Sequence, residues 1–169
     1  MATFQEIWLQ LQQPGDPLPL VMINCAAMDG GEGEIPKHIF SEFQSLFAGD
    51  LAEELADVGP YLGWLGATDG KTLKIVEDLL KSHAATLVLL EPASEDALAS
   101  SFSAILRHFR KFNVVYGPDG KPMFFRYYDP RVIYEVLSVM EPGQLERFFG
   151  PARAFVIAAE DASIHVLER

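Results

Sequence analysis

The stretch most open to a chemical reading is Gly66-Ala67-Thr68-Asp69-Gly70-Lys71-Thr72, which ends in Gly-Lys-Thr ahead of an apolar-striped segment, as a phosphate-binding loop does. Such a loop wraps phosphates with backbone N–H groups and needs four residues between its glycines. Here there are three, and Asp69 would turn negative charge toward the anion. A turn followed by a helix cap accounts for the same residues and is the favoured reading. A nucleotide-binding enzyme using Gly70-Lys71-Thr72 is the alternative. The chain contains no Gly-x-Ser-x-Gly, His-Glu-x-x-His, Cys-x-x-Cys or Gly-x-Gly-x-x-Gly pattern. Its four histidines, His38, His83, His108 and His165, stand singly without ligand spacing. No catalytic residue, metal ligand or cofactor is therefore assigned. Carboxylates are plentiful, but a catalytic pair needs a shared cleft and perturbed pKa values, which a sequence does not display. Cys25 is alone in the run Val21-Met22-Ile23-Asn24-Cys25-Ala26, where a small buried hydrophobe is the expected role, and it has no internal disulfide partner.

With 169 residues, 49% of them apolar and 22% charged, the chain suits one domain, residues 1–169, with a sizeable core. A formal charge of −11 repels a phosphate backbone and argues against nucleic-acid binding. The charge is uneven. Between Arg107 and Arg131 six basic residues face two acids, giving +4, while Asp29–Asp57 holds eight acids and one lysine. Both regions read as solvated faces, or, more sharply, the basic one as a patch for an acidic partner. The first residues lack the basic start and apolar block of a signal peptide, and no apolar run approaches the ~20 residues that span a bilayer, so a cytoplasmic protein without membrane insertion is expected.

The elements that must position any site follow from periodicity. Phe4, Ile7, Trp8 and Leu11 form a helical stripe ended by Pro14-Gly15-Asp16-Pro17, and Leu18–Ala26 reads as a buried strand. A loop over Met28–Glu34 is followed by an expected helix from Pro36, with Ile39, Phe40, Phe43, Leu46 and Phe47 as its apolar face, and by a further stripe over Leu51–Val58. Tyr61–Leu65 is ambiguous, with a short strand as one reading. A helix carrying Leu73, Val76, Leu79 and Leu80 precedes a central strand, Thr86–Glu91. A helix capped by Ser94, with Glu95 and Asp96 in its first turn, buries Leu98, Phe102, Ile105, Leu106 and Phe109 and ends in Arg107, Arg110 and Lys111. Phe112–Tyr116 and Met123–Tyr128 flank the turn Gly117-Pro118-Asp119-Gly120 as a hairpin. Asp129 caps the next helix with Pro130 at its first position and Ile133, Val136, Leu137 and Met140 inward. A short helix around Leu145–Phe149 and two strands, near Arg153–Ala159 and Ile164–Leu167, complete the chain. The interleaving predicts a mixed α/β fold: a central mixed sheet with an antiparallel hairpin, covered by several helices.

At Phe124-Phe125-Arg126-Tyr127-Tyr128-Asp129-Pro130-Arg131-Val132 the chain resembles the bacterial type VI secretion adaptor, or effector chaperone, family, catalogued as a domain of unknown function. The Leu18–Ala27 strand, Ser45-Leu46-Phe47-Ala48-Gly49 with Leu55–Leu62, and Gln144–Pro151 resemble other family segments in the right order, so the likeness covers residues 18–151. It implies a non-catalytic adaptor whose partners are a secreted effector and the VgrG spike protein. Many members of that family carry a further C-terminal lobe, so the expectation here is either a minimal adaptor or a chain that lacks part of the cargo grip. A structural subunit forming a homo-oligomer is a second alternative, with the oligomeric state left open.

Within the motif, Asp129 and Pro130 have a local role as cap and first turn. Strand alternation places Phe125 and Tyr127 on one face and Phe124, Arg126 and Tyr128 on the other. Arg126 is expected to pair internally with an acid such as Glu135 or Asp129, or else to anchor a partner. The expected partner-binding set is Arg126, Tyr128, Arg131 and Phe124, with Asp129, Pro130 and Tyr127 as structural motif residues.

Overall fold

The computed structural model of the chain describes residues 3–92 and 101–169. Helix α1 (Phe4–Leu11) opens on a reciprocal cap between Thr3 and Glu6. It is followed by β1 (Leu20–Asn24), β2 (Phe40–Ser45), α2 (Asp50–Glu54), β3 (Pro60–Leu65), α3 (Gly70–Lys81) and β4 (Ala85–Leu90). The second half holds α4 (Phe102–Arg110), the hairpin β5 (Val114–Tyr116) and β6 (Pro122–Phe124), α5 (Pro130–Val139), α6 (Pro142–Phe149), β7 (Ala152–Ala158) and β8 (Ile164–Glu168). Among the described residues, six strands form one sheet in the order β2-β3-β1-β4-β7-β8, antiparallel at every pairing, and β5–β6 is a separate ribbon. The α/β class with an antiparallel hairpin is as the sequence predicts, whereas the central sheet, expected to be mixed, is antiparallel at every described pairing. No helix among the described residues is long and apolar enough to cross a membrane.

Side chains alternate across a strand, so this sheet has two working faces. Val21, Ile23, Leu87 and Leu89 point toward α1 and α3, meeting Trp8, Val76 and Leu80. Leu20, Met22, Leu62 and Val88 point the other way, under α4, α5 and α6, and meet Ile105, Phe109, Ile133 and Phe148. Burial on both faces requires every residue of β1 to be tolerated in a core, which is why its sequence is almost unbroken apolar.

Three further sequence expectations need correction or restriction. The helix expected from Pro36 is instead a single 3-10 turn, Lys37–Ile39, leading into β2. Ser41 is bulged out of the ladder: Phe40 pairs with Leu65 and Phe43 with Gly63, so the two aromatics lie on one face despite a spacing of three residues. A bulge thus reproduces helical periodicity. Phe40 stacks on Phe43 at 5.3 Å and Phe43 on Tyr61 at 4.9 Å, and Phe40 lies where a β-carbon on Gly63 would be 2.5 Å away. Second, the strand expected to run to Tyr128 stops at Phe124, where the chain leaves the ribbon and turns, Asp129 N–H donating to the Arg126 carbonyl at 3.0 Å. Third, Ser94, Glu95, Asp96 and Leu98 lie outside the described residues; α4 is described from Phe102, capped by Ser101 accepting from the Ala104 N–H.

Candidate protein-binding face

The turn at residues 66–72 is a helix cap. Asp69 accepts from the backbone N–H of Lys71 and Thr72 and from the Thr72 hydroxyl, occupying with its own carboxylate the donors that a phosphate would need. Burial, with the charges of Glu32 and Asp57 adding to it, pushes the Cys25 thiol up to about 12, which leaves it protonated and weakly nucleophilic at neutral pH. In the β7–β8 turn, Ser163 Oγ lies 3.0 Å from His165 Nε2, but Asp161 bonds the serine and not the far nitrogen of the imidazole. The ring-orienting carboxylate of a hydrolytic triad is therefore misplaced there, and the cluster works as a turn lock.

The motif that the sequence singles out is assembled around two anchors. Asn113, directly before β5, donates its amide to the Leu46 carbonyl at 2.8 Å, accepts the Tyr127 hydroxyl at 2.9 Å, and offers its own carbonyl to the Phe125 N–H at 2.9 Å. Arg110, in the last turn of α4, reaches the Ser45 and Phe47 carbonyls at 2.8 and 3.1 Å. Three successive carbonyls at the exit of β2 are thereby held by the root of the hairpin. These contacts join residues 45–47 to Phe125 and Tyr127, and Phe148 on α6 closes the cluster at 5.8 Å from both aromatics. Sequence reasoning missed Asn113 and assigned Arg110 to the helix terminus and the basic patch, because a side chain that clamps a distant backbone leaves no periodic trace.

The second anchor is Asp129, only 2% exposed, which caps α5 by accepting from the Arg131 N–H at 3.1 Å. Its side chain also accepts two bonds from Arg131 and one, at 3.2 Å, from Arg126. Burial alone would raise its pKa, but the hydrogen bonds from Arg131 and the charges of Arg131 and Arg126 outweigh that and hold it below the usual carboxylate range. Of the two acids expected for Arg126, the structure selects Asp129. Pro130 is buried at the first helical position, as expected.

Of the expected partner-binding residues, Phe124, Arg126 and Arg131 are exposed, and Tyr128 is not. Tyr128 is 7% exposed, edge-on to Phe47 at 6.3 Å and to Tyr127 at 5.5 Å. Its assignment to a partner surface is corrected: strand parity no longer applies once the chain has left the ribbon at Phe124. Tyr127 is fully buried, and desolvation raises its phenol pKa.

Phe124, 65% exposed, stands on a ridge between two concavities. The larger is a groove of about 670 Å³ between the β5–β6 ribbon and helices α5 and α6, with Met123, Phe124, Val136, Val139 and Met140 among its walls. Val139 is 78% exposed and Met123 53%. The smaller, of about 340 Å³, is lined by Leu55, Val58, Phe124, Arg126 and the buried Asn24. The exposed apolar groups here are clustered in a concavity and not scattered singly.

Residues 22–147 match the model of a family described as a domain of unknown function (DUF4123). The chain belongs to that family. The matched span runs from β1 into α6 and contains every residue of the hairpin motif, both anchors and most of the groove. No curated protein and no solved structure matches the chain.

Proposed function

We propose that this member of the family is an adaptor that binds a secreted effector and helps load it onto the VgrG spike of a type VI secretion system, without catalysing a reaction. The observation that carries the binding part of this reading is the open apolar groove beside the motif ribbon, where Met123, Phe124 and Val139 stay exposed although the protein has a well-filled core of its own. Large apolar side chains grouped this way cost solubility unless a partner covers them. Support for the secretion context comes from the Arg126–Arg131 motif and the ordered segments that resemble the adaptor family. The rigid footing of the ribbon, through Asn113 and Arg110, also suits a role in which the partner is ordered and the scaffold is pre-organised.

Affinity purification of the tagged full chain from its native bacterium tests the reading. Recovery of a toxin-like protein together with a spike component is expected. Stoichiometric recovery of a metabolic enzyme, or stabilisation of the pure chain by ATP and magnesium, would instead direct attention to a different activity.

A further inference from the structure

Taking the adaptor reading as its basis, we infer that the groove between the β5–β6 ribbon and α5–α6 seats an acidic amphipathic segment of the client, its apolar residues against Phe124, Val139 and Met140 and its carboxylates on Lys111 and Arg147. The charge of the lining is the reason. In a chain with 24 acidic and 13 basic residues, the groove is lined by two cations, Lys111 and Arg147, and by no carboxylate. The nearby acids, Glu135 on α5, Glu146 on α6 and Glu141 at the cap of α6, lie outside it. Neither cation forms an ion pair with an acid among the described residues: Arg147 donates only to the Gly143 carbonyl, at 3.1 Å. Both are exposed, so each keeps donors for an incoming carboxylate.

The apolar part points the same way. Methionine at 123 and 140 gives walls that adapt to irregular side chains, and Phe124 supplies a large flat contact at low entropic cost. A basic client segment would meet like charge at Lys111 and Arg147, which disfavours it in both rate and affinity. An acidic one meets two unpaired cations and no lining carboxylate at the groove, a local attraction that works against the repulsion of the protein's overall negative charge.

Selection from a displayed library of random peptides on the full chain tests this, with Lys111→Glu/Arg147→Glu and Val139→Asp as variants and melting curves confirming that each folds. Wild type is expected to enrich apolar sequences bearing carboxylates, and representative enriched peptides should lose about tenfold in affinity on the charge-reversed variant. That variant should enrich basic sequences, and Val139→Asp should enrich none. No enrichment by wild type, enrichment without an acidic bias, or unchanged selection by the variants overturns the assignment. Light scattering adds a further check: a dimer that dissociates on Val139→Asp would give the groove to a second copy, which also overturns it. The adaptor reading fails separately. A charge-reversed chain that still recovers effector and spike from the bacterium removes the groove assignment alone, whereas a wild-type chain that recovers neither removes the adaptor.

Discussion

Arg131 holds the Asp129 carboxylate at both oxygens, Nε at 3.0 Å on Oδ1 and Nη2 at 2.9 Å on Oδ2, while the same carboxylate caps the helix on which Arg131 sits. A motif that looks from its residue types like a binding signature is thus first a structural knot, with the buried acid as its centre and two arginines at its surface. Only what projects beyond the knot is free to meet a partner.

Asp129→Asn keeps a capping side chain but discharges the knot, and should cost about 1–2 kcal/mol. Because the folded-state pKa of Asp129 lies below its ordinary 3.8, the aspartate's contribution is fully present above that value and is lost as pH falls through the folded pKa. Urea titrations should therefore show a constant gap between the two proteins near neutrality that closes only in strong acid. A gap that closes already between pH 7 and 5 would show that another group is responsible.

His108 supplies a pH dependence in a different window. Its Nε2 donates to the Phe148 carbonyl at 2.8 Å, and burial, aided by Lys111, lowers its pKa despite that hydrogen bond. The neutral ring is the stabilised form in the folded state. Stability is therefore complete above the ordinary value of 6.5 and declines as pH falls from there through the folded pKa. A His108→Gln protein should lack this part of the decline in a comparison of unfolding midpoints at pH 7.5 and about pH 5.5.

The same ring sets a steric condition on Gly150, which ends α6 with φ +50°. A β-carbon at residue 150 would stand 2.2 Å from His108 Cε1. Gly150→Ala adds backbone strain to this overlap, and a loss of about 2–5 kcal/mol is expected in urea unfolding. A neutral effect would mean that the α4–α6 contact is looser than described.

Much of the fold is legible before any coordinates, and the failures have identifiable causes. The paired apolar runs of β1 and β4, the Asp69 and Asp129 caps and the hairpin turn are local signals, and the structure keeps all of them. The region around Phe40 and Phe43 misleads because one bulged residue converts strand alternation into a spacing of three. Tyr128 misleads because strand parity holds only as far as Phe124, where the ladder stops. The groove and the Asn113 clamp arise from packing the ribbon against α6 and β2, distant in sequence, and so have no local signature.

These corrections change what the motif should do under mutation. Tyr128→Ala empties a buried aromatic site beside Phe47 and Tyr127 and should cost about 3–5 kcal/mol, so any loss of binding in that protein reports on folding. Phe124→Ala removes a largely exposed ring and should change stability by no more than about 0.5 kcal/mol. Arg126→Ala gives up an exposed arm of the ion pair while Arg131 retains Asp129, at a cost below about 1 kcal/mol. If Phe124 is the ridge on which a client rests, Phe124→Ala should lose client recovery in pull-down while its melting curve overlays that of the native protein. Full recovery with Phe124→Ala, or a melting shift as large as that of Tyr128→Ala, would move the binding surface away from the ribbon.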